Sequence, residues 1–470
     1  MKRITTLLLL LSLIVIGCDT SVIDSSEQES ALKEASPNAP ALASLEGTNT
    51  VDDQYLILLK GKKSLKSLEK DLQRAGGEII YANEKAGFAF VDGLSGDAAA
   101  DIAGNKYIGT MEQNSSFTRE LPGTPVTESA TVASPSDPSS AFFYARQWHH
   151  RAIGADKAWE AGLLGSEDVS VAILDGGLDY TYPDLVGRVD LSRSASFIPF
   201  DDALVDIFYP GRDYITDLDF HGTHVGSTVA SNAFVAAGVT SKTTLMGVKV
   251  CDVFGSCDFG AIFSGLLFAA ENGADVINMS LGGAFLKPGN GRFVGFLNSF
   301  MNQIRRSNAT VVVSAGNDAR NLDQDGAIYD AFCDSPSVIC VSATGPETAA
   351  SVNGPWSDVD AFAPYSNFGR SAIDFAAPGG STGGPVWAAC SQTSLTIPVC
   401  QSGVFVVGAN GTSFAAPHVT GLAALLYSQG VDKPSQVKAK IKQAADDLGQ
   451  SGTDPFYGKG RINVANTFDL

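Results

Sequence analysis

The stretch that most constrains this 470-residue chain lies near its C-terminus. It reads Gly411-Thr412-Ser413-Phe414-Ala415-Ala416-Pro417-His418-Val419 and runs on through Thr420-Gly421-Leu422-Ala423-Ala424-Leu425-Leu426. Glycine before two small hydroxyl residues suits a tight turn, where bulk would block a ligand's approach to the backbone. The rest of the stretch is small and apolar almost throughout, which predicts a helix buried on most sides. Ser413 falls at the N-terminus of that helix, where free N–H groups and the positive dipole end favour a developing negative charge. A serine at a helix start is as a rule a plain cap. It becomes a nucleophile only with a base and an oxyanion donor from elsewhere in the chain.

Three further stretches supply them. A strand over 169–174 ends in Asp175-Gly176-Gly177, an acid at the C-terminal edge where open α/β sheets place their sites. His221-Gly222-Thr223-His224-Val225-Gly226 puts a histidine at the start of a second apolar helix, and Ser314-Ala315-Gly316-Asn317 ends a third apolar strand. A serine hydroxyl needs an imidazole to take its proton, and a buried carboxylate fixes that imidazole's tautomer. An amide N–H can then donate to the oxyanion of a tetrahedral intermediate. Apolar strands at 169–174, 244–250, 276–279, 310–314 and 338–343 alternate with helical stretches at 261–272, 293–306 and 413–427. This predicts an α/β fold, a mainly parallel sheet with helices on both faces.

Asp175-Gly-Gly, His221-Gly-Thr-His-Val, Asn278-Met-Ser-Leu-Gly-Gly283, Ser314-Ala-Gly-Asn317 and Gly411-Thr-Ser-Phe-Ala-Ala-Pro-His closely resemble the motifs of the subtilisin-like serine proteases, in that family's order. The resemblance covers about 145–470. It implies a serine endopeptidase acting on protein or peptide substrates, with Asp175 as orienting acid, His221 as base, Ser413 as nucleophile and Asn317 as oxyanion donor. The backbone N–H of Ser413 would be a second donor. Ser280-Leu281-Gly282 resembles the edge segment that pairs with substrate backbone and walls the S1 pocket, and Gly255, with Ser256 and Gly260, the segment facing it. The pocket floor is expected near 325–331, where Ile328 or Tyr329 would narrow it. Asp184 matches a position that often binds calcium in the family, but the run at 230–240 lacks the usual Asn-rich ligands. No metal ligand is assigned; no cofactor is required for the chemistry, and a structural calcium is left open. Phe220 stands where the family usually has glycine. The acidic and aromatic run over 201–219 reads as a solvated surface loop, or else as an added wall on the S′ or S2 side.

Ahead of the catalytic domain at 142–470, the order strand, helix, strand, strand, helix, strand over 51–120 is ferredoxin-like. Its last strand is expected at 107–112. The unit resembles the family's inhibitory propeptide, which assists folding and then blocks the cleft. The Pro/Ser/Thr-rich run at 121–141 reads as an exposed linker holding the maturation site, placed within 118–142. Lys2-Arg3 and the apolar run 4–16 form a signal peptide over 1–17. It ends in Val15-Ile16-Gly17-Cys18, which resembles a bacterial lipobox; a flexible spacer fills 18–50. These features place the protein outside the cytoplasm, lipid-anchored through Cys18 to a bacterial membrane or cell surface, or secreted. Seven cysteines less Cys18 leaves six, in three close couples that predict the disulfides Cys251–Cys257, Cys333–Cys340 and Cys390–Cys400. A net charge of −19 argues against nucleic acid as a partner.

Two sets of residues invite other readings. His149-His150 read as surface residues, and His224 and His418 as packed structural histidines rather than metal ligands. Gly379-Gly-Ser381-Thr-Gly383 fits the GxSxG pattern of an esterase. It lacks the flanking strand and helix and reads as a glycine-rich loop.

Overall fold

A computed structural model describes residues 48–61, 65–133, 137–324, 326–335 and 338–470. The signal peptide, Cys18, nearly all of the 18–50 spacer, and Asp325 lie outside the described residues. The amino-terminal module runs β1 (Thr48–Leu59), α1 (Leu65–Arg74), β2 (Glu78–Asn83), β3 (Phe88–Asp92), α2 (Gly96–Ala103) and β4 (Ile108–Thr118). Its strands lie in the antiparallel order β2-β3-β1-β4, as a ferredoxin-like unit requires. The period-two alternation of strand side chains gives this sheet two buried faces. Ile57, Ala89 and Val91 meet Leu68 and Leu72 of α1. Leu56, Phe88 and Phe90 point the other way, into the core of the larger domain.

The larger domain begins earlier in the chain than the motifs suggest. Val126–Ser129 (β5), within the stretch expected as exposed linker, is a strand. After it come β6 (Ser170–Asp175), β7 (Ala195–Ser196), α3 (His221–Val229), β8 (Thr244–Lys249), β9 (Ser256–Asp258), α4 (Phe259–Glu271), β10 (Val276–Met279), α5 (Gly291–Arg306), β11 (Thr310–Ser314), β12 (Val338–Thr344), β13 (Phe375–Pro378), β14 (Val386–Ala389), β15 (Phe405–Ala409) and α6 (Thr412–Ser428). Seven strands form one parallel sheet in the order β13-β12-β11-β10-β6-β8-β7. Alternate residues of β6 serve its two faces. Val171 and Ile173 pack with Val225 of α3 and Val419 and Leu422 of α6, and Ala172 and Leu174 with Phe263 of α4 and Phe300 of α5. A strand covered on both sides has no solvent face to make polar. Strands β5, β15 and β14 make a separate three-stranded antiparallel sheet. The disulfides join Cys251–Cys257, Cys333–Cys340 and Cys390–Cys400.

The run over 201–219 is not a solvated loop. It forms the helix Pro199–Phe208, in which Asp201 is buried, and a return segment in which Thr216, Asp217, Leu218 and Asp219 are buried. Lys249 Nζ lies 3.1 Å from Asp201 Oδ2, both side chains fully buried, and the Val253 N–H donates to the other carboxylate oxygen. A buried carboxylate is retained in this way by a cation and a donor together.

Helix α6 is buried from Thr412 to Leu426. A Cβ placed on Gly421 would stand 2.5 Å from Val239 Cβ. Gly421→Ala gains about 1 kcal/mol of helix propensity but overpacks this contact, at a typical cost of about 1–3 kcal/mol. The net expectation is a lower denaturation midpoint for the full chain. A raised midpoint would mean that Val239 moves aside freely.

Candidate functional site

The C-terminal edge of the parallel sheet gathers the site. Asp175 ends β6 and is fully buried; His221 opens α3, with Nδ1 2.9 Å from both Asp175 oxygens. Gly222 makes this approach feasible, because a Cβ there would stand 2.0 Å from the Gly177 carbonyl. Asp175 also accepts from the Gly176 N–H at 2.7 Å. Burial alone would push its carboxyl up, but His221, the Arg119 guanidinium and these hydrogen bonds together hold it below the usual carboxylate range. Burial and the Arg119 charge pull the His221 imidazole down, against the pull of Asp175.

Ser413 stands at the start of α6, buried, in the same cleft as Asn317, Leu281 and Gly282. Its hydroxyl donates to the Ser280 carbonyl at 3.2 Å, and the Ser280 hydroxyl donates back to the Ser413 carbonyl at 2.6 Å. Pro417 explains the second bond. It lies four residues on, where an ordinary residue's N–H would bond the Ser413 carbonyl, and proline has none. Asn278 Nδ2 donates to the Ser280 hydroxyl, and Thr420 to Asn278 Oδ1, so α6 itself orients Ser280. Among the described residues His221 Nε2 has no hydrogen-bond partner.

Asn317 is oriented from the helix as well. Its Oδ1 accepts from the Thr412 N–H at 2.9 Å and the Thr412 hydroxyl at 3.0 Å, which assigns the amide and aims Nδ2 into the cleft. There Nδ2 donates to the backbone carbonyl of Glu120 at 3.0 Å. That carbonyl belongs to the chain's own junction segment. Strand β4 does not stop at Glu112 but runs on to Thr118, pairing antiparallel with β9 as Ser116↔Asp258, Phe117↔Cys257 and Thr118↔Ser256. The Arg119 N–H donates to the Gly255 carbonyl at 2.8 Å. Phe117 packs edge-on against Phe259, ring centroids 5.7 Å apart. Gly260, expected to face substrate, instead donates its N–H to Asn114 of β4 and abuts the Phe90 ring.

Ile328 lines the cleft, whereas Tyr329 turns away to stack on Phe285 and donate to Asn298. Sequence reasoning did not single out Arg119, Asp219, Thr412 or Arg320, all of which shape this region. A signal for the first existed: a charged Arg119-Glu120 pair closes the module just before the Pro-rich run. The carboxylate of Asp184 accepts the Val235 and Ala236 N–H groups at 2.9 Å each, and burial raises it to about 7. Ser381 closes a turn with Gly384, its hydroxyl committed to the Pro346 carbonyl.

His149 and His150 are not surface residues; both are fully buried against His418. His418 Nδ1–H donates to the Phe414 carbonyl, so its Nε2 accepts from His149 Nδ1 at 2.8 Å. His150 Nε2–H donates to the Ala237 carbonyl at 2.9 Å. These nitrogens cluster closely enough to hold a metal ion, but two of them are already spent on each other. His224 Nε2–H reaches the Val386 and Val407 carbonyls at 3.1 and 3.2 Å, which fits a structural histidine.

All five histidines of the chain are buried, and desolvation pulls each below its ordinary 6.5, His150 to about 4 and His224 to about 3. A histidine depressed in the folded state binds more protons unfolded. Its burial therefore destabilises the fold progressively as pH falls below 6.5 towards the folded value. Imidazole NMR of the full chain is expected to show no titration of His150 or His224 between pH 8 and 6; a midpoint near 6.5 for either would refute its burial.

Comparison with known proteins matches residues 166–460 to the family described as the subtilase family, peptidase S8. Subtilisin DY of Bacillus licheniformis is 34% identical over 66% of this chain and 94% of its own length. Thermitase of Thermoactinomyces vulgaris is 29% identical over 70% and 97%. Among solved structures, the epidermin leader peptide processing serine protease of Staphylococcus aureus superposes with a TM-score of 0.66 at 18% identity. That match covers 89% of this chain and 98% of the other.

Proposed function

Because the chain belongs to the subtilase family and is a serine endopeptidase, we propose that Asp175, His221 and Ser413 are its triad and that it is made as a self-processing, exported precursor. The observation that carries the reading is the Glu120 carbonyl, held by Asn317 Nδ2 in the cleft that contains Ser413. In the reacting state the Ser413 hydroxyl exchanges the Ser280 carbonyl for His221 Nε2. Its oxygen adds to the substrate carbonyl carbon while His221 takes its proton. Asp175 holds the tautomer and stabilises the imidazolium, and Asn317 receives the oxyanion. The C–N bond then breaks, the leaving amine taking the proton from His221, and water hydrolyses the acyl-enzyme. Serine, imidazole and carboxylate suffice for this chemistry. The module at 51–120 acts as intramolecular inhibitor, its β4 extension filling the groove a substrate would use. The signal sequence exports the chain, and lipid on Cys18 holds it at the membrane.

Ser413→Ala is expected to leave the full precursor uncut and to lower peptide hydrolysis by roughly a million-fold, the figure known for removing the corresponding group from a subtilisin. Intact mass and a fluorophosphonate probe read both effects. Self-processing of the variant at the normal rate would overturn the assignment.

A further inference from the structure

Arg119 carries more than strand register. Its side chain is buried to 7% exposure, with Nη2 2.7 Å from Asp219 Oδ2 and Nη1 3.1 Å from Asp175 Oδ1. A guanidinium reaching two carboxylates uses its rigid fork of donors as lysine could not. Asp219 is itself fixed: its second oxygen accepts from the Thr396 hydroxyl at 2.5 Å, and its N–H donates to Asp217. Thr396 sits in the loop closed by Cys390–Cys400. Asp219 is thus held by Thr396 and Asp217, groups that lie outside the junction segment. The neighbouring Glu120 side chain, by contrast, is exposed.

The register follows from backbone contacts. With the Glu120 carbonyl on Asn317, the bond presented to Ser413 is Glu120–Leu121, and Arg119 is the second residue before it, in subsite S2. We propose that Glu120–Leu121 is the bond cut in maturation and that Asp219 makes S2 selective for arginine, so that the enzyme's substrates are peptides with arginine at the second position before the scissile bond. Cleavage consumes one water, leaving Glu120 as a carboxylate and Leu121 as an amine. The selectivity is physical: Asp219 is buried in the complex, and a neutral residue opposite it leaves a desolvated charge unpaired.

This inference rests on the triad reading, and the test separates the two. The mature enzyme is given two quenched fluorescent peptides, Phe-Thr-Arg-Glu-Leu-Pro and the same sequence with Gln for Arg, with a protein substrate as control. The Arg peptide is expected to be cut between Glu and Leu with a kcat/KM at least about thirtyfold higher. Asp219→Asn should collapse that ratio from both sides, the Arg peptide slowing as its ion pair is lost and the Gln peptide gaining as the unpaired buried charge is removed. The released N-terminal fragment should end at Glu120 by intact mass. Equal rates on the two wild-type peptides, an equal loss on both in the variant, or a fragment ending elsewhere would overturn the proposal. Loss of hydrolysis of every substrate, the protein control included, would instead sink the triad reading. The wild-type peptide pair decides the matter even if Asp219→Asn fails to fold.

Discussion

A hydrogen bond that α6 cannot make organises the site. Pro417 deprives the Ser413 carbonyl of its helical partner, and in an apolar layer an unpaired carbonyl costs about 1–3 kcal/mol. The Ser280 hydroxyl fills the vacancy and is oriented in turn by Asn278 and Thr420. The first turn of α6 is thereby tied to the segment after β10, and Thr412 of that same turn fixes the Asn317 amide. Ser413, the cleft wall and the Asn317 amide are positioned by one helix terminus, not by three independent loops.

The amino-terminal module is joined to this arrangement by a strand with two jobs. From Ile108 to Phe117 one edge of β4 faces β1 of the module; from Ser116 to Thr118 its other edge belongs to β9. An isolated sheet edge is a site for strand addition, and here the module supplies its own. The docking face behind it is aromatic: Phe88 lies against Phe263, Phe296 and Phe300, with centroids 5.6–6.3 Å apart. The hold on the cleft is a backbone ladder backed by a hydrophobic patch, with Arg119 as its charged tip.

Much of this was legible in the sequence, for physical reasons. Buried parallel strands read as apolar runs, so β6, β10, β11 and β12 stood out, and paired cysteines six to ten residues apart reported their own bridges. Asp175, His221 and Asn317 lie at strand or helix ends, where a change of periodicity marks them. The features that stayed hidden depended on partners far away in the chain. The 201–219 run looked solvated because its acids are charged, yet Lys249, Arg119 and Thr396 supply their partners from outside it. His149 and His150 looked exposed because nothing local hides them; His418, in a helix from the far end of the chain, does. The extension of β4 is hidden because Gln113 to Thr118 is polar apart from Phe117, and its pairing with β9 is made by backbone to a distant part of the chain.

Strand β5 limits how far a cut junction could separate. Val126–Ser129 is paired along β15 from Gly408 to Phe405, so an amine created at Leu121 is tethered by residues 121–125 alone, a reach of at most about 17 Å. Over such a span its effective concentration is of millimolar order. It would compete with water for the acyl group on Ser413, reforming the bond it came from. If the junction is cut as proposed, hydrolysis and reversal compete, and the balance depends on how quickly five residues of chain swing out of the groove.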